Sequence, residues 1–346
     1  MKNVTKKVAV LSTILAALCS AMAFAGGGGQ QAAGGASKTH AVVFKSTGNP
    51  FGEKLMDGYE AAIKEQGGAV LRRAPDLPTA EAQIQIIDQL IAQRVASITI
   101  SANDFDALQP VLTKAKNANI KIVTADSSVN AASRSVHINQ ADTKLIGETL
   151  VEAAFDQAGG SGEIAILSAT SQASNQNAWI AVMQETLKQP KYANLNLVKV
   201  AYGDDLRDKS LSETEGLIAS YPNLKVIVAP TTVGIAAAAK AITDRGLVGK
   251  VKITGLGLPS EMAEYITNDS CPYMFLWNPI DLGYLAGYAA TALSDGKITG
   301  KEGDQFGGGK LGNYTVVKAS DGGTEVILGP PFKFDKANIN EWKSVY

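Results

Sequence analysis

The 346-residue sequence has only two histidines and two cysteines, and it lacks an excess of charge of either sign, with 32 basic and 33 acidic residues. A net charge near zero supplies no basic field for a phosphate backbone, so we expect no nucleic-acid partner. Two cysteines are too few for a disulfide scaffold. A hydrophobic content of 45% excludes intrinsic disorder over most of the length. Length alone predicts about two domains.

Long apolar runs are also missing, except at the N-terminus. Residues 1–25 open with three lysines, continue through the apolar run Val8–Leu18 and end on Ala23-Phe24-Ala25, an Ala-x-Ala site. This order is typical of a secretory signal peptide cleaved after Ala25. It predicts export to the periplasm and, because cleavage removes lysines and no acids, a mildly acidic mature chain.

Two alternatives to cleavage after residue 25 stay open. Lipid attachment at Cys19 is disfavoured because the bulky Leu18 stands where a small residue is required. A retained membrane anchor is disfavoured because polar residues interrupt an apolar stretch that is already marginal for a membrane span of about 20 residues. Residues 26–37, all Gly, Gln, Ala or Ser, predict a flexible leader. Cleavage leaves Cys271 without a disulfide partner, and we interpret it as a small packing residue near a strand start.

From residue 39 onward, short β-branched runs alternate with stretches of helical period. A strand at 41–44 precedes a helix at 50–66 whose apolar residues recur at every fourth position from Phe51 to Ile63. The repeated β-α-β-α order predicts a parallel sheet. The strand at 135–138 follows a turn instead of a helix, and the alternation restarts at residue 142, which predicts two tandem α/β lobes.

Polar residues follow several predicted strands, at the sheet edge where open parallel sheets bind ligands. Helix capping and turn formation explain some of them, such as Asn49 before a proline. Capping does not call for Lys45, Asp126, Gln176 or Trp277 at the positions that they occupy. The sequence therefore predicts a ligand site at the carboxyl edges of the two sheets.

The candidate motifs for catalysis and cofactor binding each lack a required residue. The loop Gly255–Ser260 lacks the third glycine of a dinucleotide fingerprint, and in Gly307–Lys310 the following Leu311 replaces the Ser or Thr of a phosphate loop. No Gly-x-Ser-x-Gly elbow occurs. Neither His40 nor His137 has metal-ligand spacing to other candidate ligands, and we interpret His137 as structural. We predict a binding protein that is not an enzyme, with no cofactor and no metal.

Several segments together resemble the periplasmic solute-binding proteins of carbohydrate ABC importers, in particular the rhamnose-binding branch and its relatives, the autoinducer-2 (AI-2) receptors. The resemblance runs over nearly the whole mature chain. It is carried by Lys45-Ser-Thr-Gly-Asn-Pro-Phe51, Ala125-Asp126-Ser127, Asn175-Gln176-Asn177-Ala178-Trp179, Ala229-Pro230-Thr231-Thr232-Val233-Gly234, Leu276–Tyr284 and Ile327–Pro331.

The resemblance implies the type I periplasmic binding protein fold, in which two Rossmann-like parallel-sheet lobes are joined by a three-segment hinge. We expect an N-terminal lobe of residues 38–139 plus 280–303 and a C-terminal lobe of residues 140–279 plus 304–346. The chain then crosses between the lobes three times, and a ligand closes the cleft by contacting both.

In the AI-2 receptors the ligand is held by a Lys, two Asp, a Gln, a Pro and an Ala. The resemblance carries four of these roles to Lys45, Asp126, Gln176 and Pro230. The second Asp position holds Asn175, and the Ala position holds Thr232. Because of these two departures, we predict that the ligand is a deoxy sugar such as L-rhamnose, and AI-2 is the alternative ligand.

The chemistry of the candidate residues suits a neutral polyol. An ionised carboxylate accepts hydrogen bonds from hydroxyls, a lysine donates hydrogen bonds to them, and side-chain amides do both. Aromatic side chains cover the apolar face of a pyranose, although a role in the core is an equal alternative for them. We expect a monomer that delivers its sugar to an ABC transporter permease, with a chemoreceptor as a second candidate partner. The candidate ligand-binding residues are Lys45, Asn49, Phe51, Asp126, Asn175, Gln176, Pro230, Thr232, Trp277 and Asn278.

Overall fold

The computed structural model describes residues 38–346, and the predicted signal peptide (1–25), Cys19 and the leader (26–37) lie outside the described residues. The strands are β1 Thr39–Val43, β2 Ala69–Arg73, β3 Ser97–Ile100, β4 Lys121–Ala125, β5 Val136–Asn139, β6 Gly162–Ser168, β7 Leu195–Tyr202, β8 Leu224–Ala229, β9 Lys252–Gly255, β10 Tyr273–Leu276, β11 Gln305–Gly307, β12 Asn313–Thr315, β13 Val317–Lys318, β14 Thr324–Ile327 and β15 Phe332–Asp335. The helices are α1 Pro50–Glu65, α2 Ala80–Ala92, α3 Gln109–Asn117, α4 Thr143–Gln157, α5 Ser174–Leu187, α6 Arg207–Ser220, α7 Thr232–Asp244, α8 Pro259–Thr267, α9 Pro279–Ser294 and α10 Ile339–Trp342.

The first lobe is built on a seven-stranded sheet in the order β13-β14-β5-β4-β3-β1-β2. All neighbouring strands are parallel except β13 and β14, which form an antiparallel pair. Parallel strands require crossover connections, and α1, α2 and α3 supply them between β1, β2, β3 and β4. Strands β3 and β5 are buried along their whole length, as expected for a sheet covered on both faces.

The second lobe contains a four-stranded parallel sheet in the order β7-β6-β8-β9. A single bridge from Leu256, just after β9, to Phe275 in β10 continues this sheet, and β10 pairs antiparallel with β15. The predicted two-lobed α/β fold with parallel sheets is therefore confirmed.

The chain passes between the lobes three times, between β5 and α4, between β10 and α9, and between β14 and β15. The structure differs from the predicted boundaries in the last of these, because residues 304–327 do not join the second lobe. Strand β14 lies parallel to β5, with Val326 fully buried against it. Strands of two to four residues have no hydrophobic repeat long enough to assign them to a sheet from the sequence.

Helix α9 returns the chain to the first lobe by packing against α1. A Cβ on Gly283 would lie 1.8 Å from the backbone oxygen of Leu55, and a Cβ on Gly58 would lie 1.9 Å from that of Ile280. Any side chain larger than hydrogen at these two positions would therefore separate the helices. This contact fixes the start of α9, and with it the loop that follows β10, relative to the first sheet.

The core confirms the predicted apolar face of α1, where Phe51, Leu55, Tyr59 and Ile63 are all buried. Cys271 is buried and free, two residues before β10, and burial raises the pKa of its thiol. Its position agrees with the predicted packing role.

Both histidines are buried strand residues. His40 Nδ1 lies 2.7 Å from Ser97 Oγ, and His137 Nδ1 lies 2.9 Å from Thr124 Oγ1. Burial lowers the pKa of His40 to about 4 and that of His137 to about 3, so both rings are neutral near pH 7. Their contacts are those of structural residues.

Among residues 38–346, no helix combines the length and the apolar character needed to cross a membrane.

Candidate functional site

A cavity lies where the carboxyl ends of strands from both sheets converge. The loop after β1 and the turn after β4 line it from the first lobe. The start of α5 and the loops after β7, β8 and β10 complete it. Eight of the ten predicted residues line this cavity: Lys45, Asn49, Phe51, Asp126, Gln176, Pro230, Thr232 and Trp277.

Asp126 is the charged centre of the first-lobe wall. Its Oδ2 accepts a hydrogen bond from Ser101 Oγ at 2.7 Å and lies 3.5 Å from Lys45 Nζ. Its Oδ1 accepts from Asn175 Nδ2 at 3.0 Å. Asp126 has φ +67°, in the left-handed region that Asp tolerates better than most residues. The turn after β4 therefore directs a buried carboxyl group at the cavity.

Asn175, one of the two predicted residues that do not line the cavity, connects the lobes. Besides donating to Asp126, its side-chain oxygen accepts from Ser127 Oγ at 2.8 Å and from Lys45 Nζ at 3.3 Å. The preceding Ser174 donates to the backbone oxygen of Ser128 at 3.0 Å. The start of α5 is thus hydrogen-bonded directly to the turn after β4 in the other lobe.

Asn278, the other predicted residue outside the cavity wall, caps α9. Its side-chain oxygen accepts from the backbone N–H groups of Ile280 at 2.9 Å and Asp281 at 3.3 Å, and its Nδ2 donates to Asp281 Oδ2 at 2.9 Å. A cap satisfies the orphan donors of a helix start, which accounts for an Asn before Pro279. The predicted ligand contact of Asn278 stays a prediction. Asn49 caps α1 in the same way, with Gly52 N at 3.1 Å, yet also lines the cavity.

Aromatic side chains form an apolar wall. Phe51 and Trp277 meet edge to face with ring centroids 6.2 Å apart, and Trp179 lies 5.8 Å from Trp277. Trp179 was not predicted as a site residue, although it stands three residues after Gln176 and so shares its face of α5. Apolar walls with a few polar groups are typical of small-molecule sites.

Two buried polar atoms belonging to this wall have no hydrogen-bond partner among the described residues. They are Oε1 of Gln176 and Nε1 of Trp277, whose side chains are at least nine-tenths buried. Leaving a buried polar atom unpaired costs about 1–3 kcal/mol, so a partner supplied by a ligand is favoured. One is an acceptor and the other a donor, which matches a hydroxyl-rich molecule.

The cavity also contains a second carboxylate that the sequence analysis missed. Asp205, in the turn after β7, accepts a hydrogen bond from Thr231 Oγ1. Burial raises the pKa of Asp205, and nearby Lys45 opposes this effect. The segment Gly203-Asp204-Asp205 has the composition of an ordinary turn, so no sequence signal separated it from other loops. The other missed residues of the wall are Phe44, Thr231, Leu256 and Leu276.

Within residues 38–346, no group of three or more His, Cys, Asp or Glu side chains is arranged to hold a metal ion. The polar residues of the cavity offer hydrogen bonds and one ion pair. This arrangement suits reversible binding of a neutral polar molecule.

The fold and the interlobe cavity are those of a two-lobed binding protein. Residues 40–298 match the model of a periplasmic binding protein domain, and the chain belongs to this family. Because the family is one of binding proteins, the prediction that the chain is not an enzyme is confirmed.

Individual relatives place the chain among solute-binding proteins of ABC transporters. It is 51% identical to an ABC transporter solute-binding protein from Clostridium phytofermentas solved with bound L-rhamnose, with a TM-score of 0.88 over 90% of this chain and 99% of that one. LsrB from Clostridium saccharobutylicum in complex with AI-2 shares the fold at 22% identity and a TM-score of 0.83, over 88% of this chain and 99% of that one. A D-ribose/D-allose-binding protein from Pseudomonas aeruginosa is 25% identical, over 62% of this chain and 69% of that protein.

Proposed function

We propose that the protein captures a monosaccharide, L-rhamnose in the first instance, in the cavity between its lobes and delivers it to an ABC importer from the periplasm. The observation that carries this proposal is the pair of unpartnered buried atoms, Gln176 Oε1 and Trp277 Nε1, in a cavity wall that also holds Asp126 and Lys45. A sugar hydroxyl donates and accepts, so a single polyol can partner all of these groups.

The apolar wall supports a deoxy sugar over a fully hydroxylated one. L-rhamnose carries a methyl group in place of one exocyclic hydroxymethyl group, and it has an apolar C–H ring face. The rings of Phe51, Trp179 and Trp277 offer apolar surface for both. The 51% identity to a protein solved with bound L-rhamnose supports the same choice.

Binding couples to cleft closure because the wall is divided between the lobes. Asp126, Lys45 and Phe51 belong to the first lobe, whereas Gln176 and Thr232 start helices of the second. A ligand that contacts both sets stabilises the closed arrangement through its higher affinity for that state. We propose that the three crossings between the lobes form the hinge, and that the closed protein is what a permease recognises.

AI-2 binding with a signalling role, through a chemoreceptor for example, is the second candidate. Lys45, Asp126, Gln176 and Pro230, to which the resemblance carries four AI-2 contacts, all line the cavity. Against it stands Asn175, where the AI-2 receptors have a second Asp. Its Nδ2 donates to Asp126, which a carboxylate cannot do.

Titration calorimetry on protein stripped of ligand by unfolding and refolding separates these candidates. We expect L-rhamnose to bind with a micromolar or lower Kd, and AI-2, D-ribose and D-allose to bind at least about tenfold more weakly, or ~1.4 kcal/mol. Tighter binding of AI-2 would replace the rhamnose proposal with the signalling one. If refolded protein with a native melting transition binds none of these sugars, the proposed function is wrong.

A further inference from the structure

The cavity holds a carboxylate from each lobe, and only one of them has a direct interlobe partner. Asp126 in the first lobe is already contacted by Ser101, Lys45 and Asn175. Asp205 in the second lobe is contacted by the Thr231 hydroxyl, from within its own lobe. The Asp205 carboxyl group has acceptor positions beyond the one that Thr231 occupies, so a hydroxyl-bearing ligand can be accommodated at Asp205 more readily than at Asp126.

The turn after β7 contains two acidic residues, Asp204 and Asp205, whose side chains lie in different surroundings. Asp204 and Asp205 both have φ +54°, a conformation that Asp adopts more readily than most residues. The carboxylate of Asp204 pairs with Lys209 in the following helix, while Asp205 lines the cavity. The two neighbours therefore share residue type and backbone conformation, and differ in access to the ligand.

Charge in the cavity wall narrows the class of ligand. Lys45 is the one basic side chain among the residues that line it; its Nζ lies 3.5 Å from Asp126 Oδ2, and its charge opposes the rise in the pKa of Asp205. Two carboxylates against one ammonium leave an excess of negative charge when all three are ionised. A neutral polyol is compatible with this balance, whereas a sugar acid or sugar phosphate brings like charge into a poorly solvated site.

We infer that Asp205 is a specificity-determining residue that accepts a hydrogen bond from a ligand hydroxyl on the side of the second lobe, and that Asp126 and Asp205 together restrict the cavity to neutral polyols. This inference rests on the proposed function and adds to it the second-lobe acceptor and the charge class of the ligand. Thr231 acts as a positioning residue, because its hydroxyl orients the Asp205 carboxylate.

The test compares Asp205→Asn and Asp205→Ala with Asp204→Asn as the matched control, using L-rhamnose as the probe in titration calorimetry. Loss of the hydrogen bond that Asp205 accepts predicts a Kd raised about tenfold or more in Asp205→Ala. Asp205→Asn keeps the shape of the side chain and guards against misfolding, and we expect it to raise the Kd at least about fivefold, between the control and the alanine variant. Asp204→Asn should bind within about twofold of the wild type, since it removes the same charge from the same turn outside the cavity.

A second arm measures the charge class with L-rhamnose and an anionic sugar acid, galacturonate, on the wild type and Asp205→Asn. We expect no galacturonate binding by the wild type. Wild-type rhamnose affinity in both Asp205 variants, or binding of galacturonate by the wild type as tight as that of rhamnose, would overturn the role of Asp205 while leaving the proposed function standing. If the wild type binds no neutral sugar, both the proposed function and this inference are wrong.

Discussion

Asn175 at the start of α5 donates from Nδ2 to Oδ1 of Asp126 across the cleft, at 3.0 Å. The same Asn accepts from Ser127 and Lys45, so a single amide side chain bonds to three residues of the other lobe. An amide can do this because it carries both donors and an acceptor. Direct protein contacts therefore stabilise this arrangement of the two lobes.

Replacing Asn175 by Asp tests this relationship. The variant sets a second carboxylate against Asp126, and two like charges at hydrogen-bond distance raise the pKa of the pair. We expect rhamnose affinity to fall at least about tenfold at pH 7.5 and to recover towards pH 5, as a shared proton restores a donor. Calorimetry at several pH values provides the measurement.

Asn177→Asp is the matched control for that experiment. It introduces the same charge two residues further along α5, at a half-buried side chain whose hydrogen bond to the backbone oxygen of Ser171 is solvent-exposed. Its affinity should stay within about twofold of the wild type, because a charge at that solvent-exposed amide group is screened by water. Equal losses in both variants would point to a general effect of charge on α5 instead of the contact with Asp126.

Removal of the Asp126 carboxylate should abolish measurable binding. Asp126→Ala deletes a buried charged acceptor and leaves Lys45 without its ion-pair partner, and each lost charged hydrogen bond costs about 1.5–3 kcal/mol, or roughly 10- to 150-fold in Kd. Calorimetry with L-rhamnose measures the loss, and thermal unfolding reports whether the variant is folded. If a folded variant binds L-rhamnose normally, Asp126 has only a structural role in the turn after β4.

The contact between α1 and α9 predicts a strong effect on stability. Gly283→Ala would place its Cβ 1.8 Å from the backbone oxygen of Leu55, so the helices must separate at a cost of about 1–3 kcal/mol or more. Gly216→Ala is the control, since Gly216 lies in α6 with nothing within 4 Å of the added atom and should gain about 0.5–1 kcal/mol. Urea unfolding measures both changes. Similar midpoints for the two variants would contradict close helix contact.

Buried His137 makes stability depend on pH. Its pKa is lowered from 6.5 to about 3, by burial and by the neighbouring Arg134, so the unfolded chain binds the proton first as the pH falls. Stability is then full above pH 6.5 and is lost as the pH falls from there towards 3, at about 2 kcal/mol between pH 7 and pH 5 for one such histidine. The acidic groups near this ring are Asp321 and Glu325, the latter paired with His137 across β5 and β14.

His137→Gln should flatten this dependence between pH 7 and pH 5 by a similar amount, whatever it does to stability at pH 7. His40→Gln should do so independently, because burial lowers the pKa of His40 to about 4. Urea unfolding at the two pH values provides the slope. Identical slopes for wild type and both variants would show that the rings are accessible to protons in the folded protein.

The sequence predicted the tandem α/β lobes because that information is local. Each buried strand is a short apolar run, and each helix such as α1 repeats its apolar residues at helical spacing, so both can be assigned without knowledge of distant contacts. Lys45, Asp126, Gln176 and Trp277 were predicted to share a site from their positions after strands, since sheet geometry brings the carboxyl ends of parallel strands together, and all four line the cavity. Pro230 and Thr232 were added by the family resemblance.

The parts that could not be predicted depend on distant or ambiguous partners. Strands β13 and β14 exist because β5 offers an edge, and nothing in their few residues indicates that. Asn278 and Asp205 show the other difficulty, because a polar residue after a strand can cap a helix or face a ligand. Backbone conformation decides between these roles, and composition does not report it.

The last crossing between the lobes has a consequence for how the chain folds. The first sheet needs β14, which is about 190 residues from its neighbour β5 in sequence, and the second sheet needs β15 next to β10. Neither lobe is a continuous stretch of chain, so neither can be excised as a fragment with its sheet complete. During synthesis, the edge of β5 that pairs with β14 stays unpaired until residues 324–327 have been made. Folding should therefore be slow and cooperative across both lobes, as expected for contacts of high sequence separation.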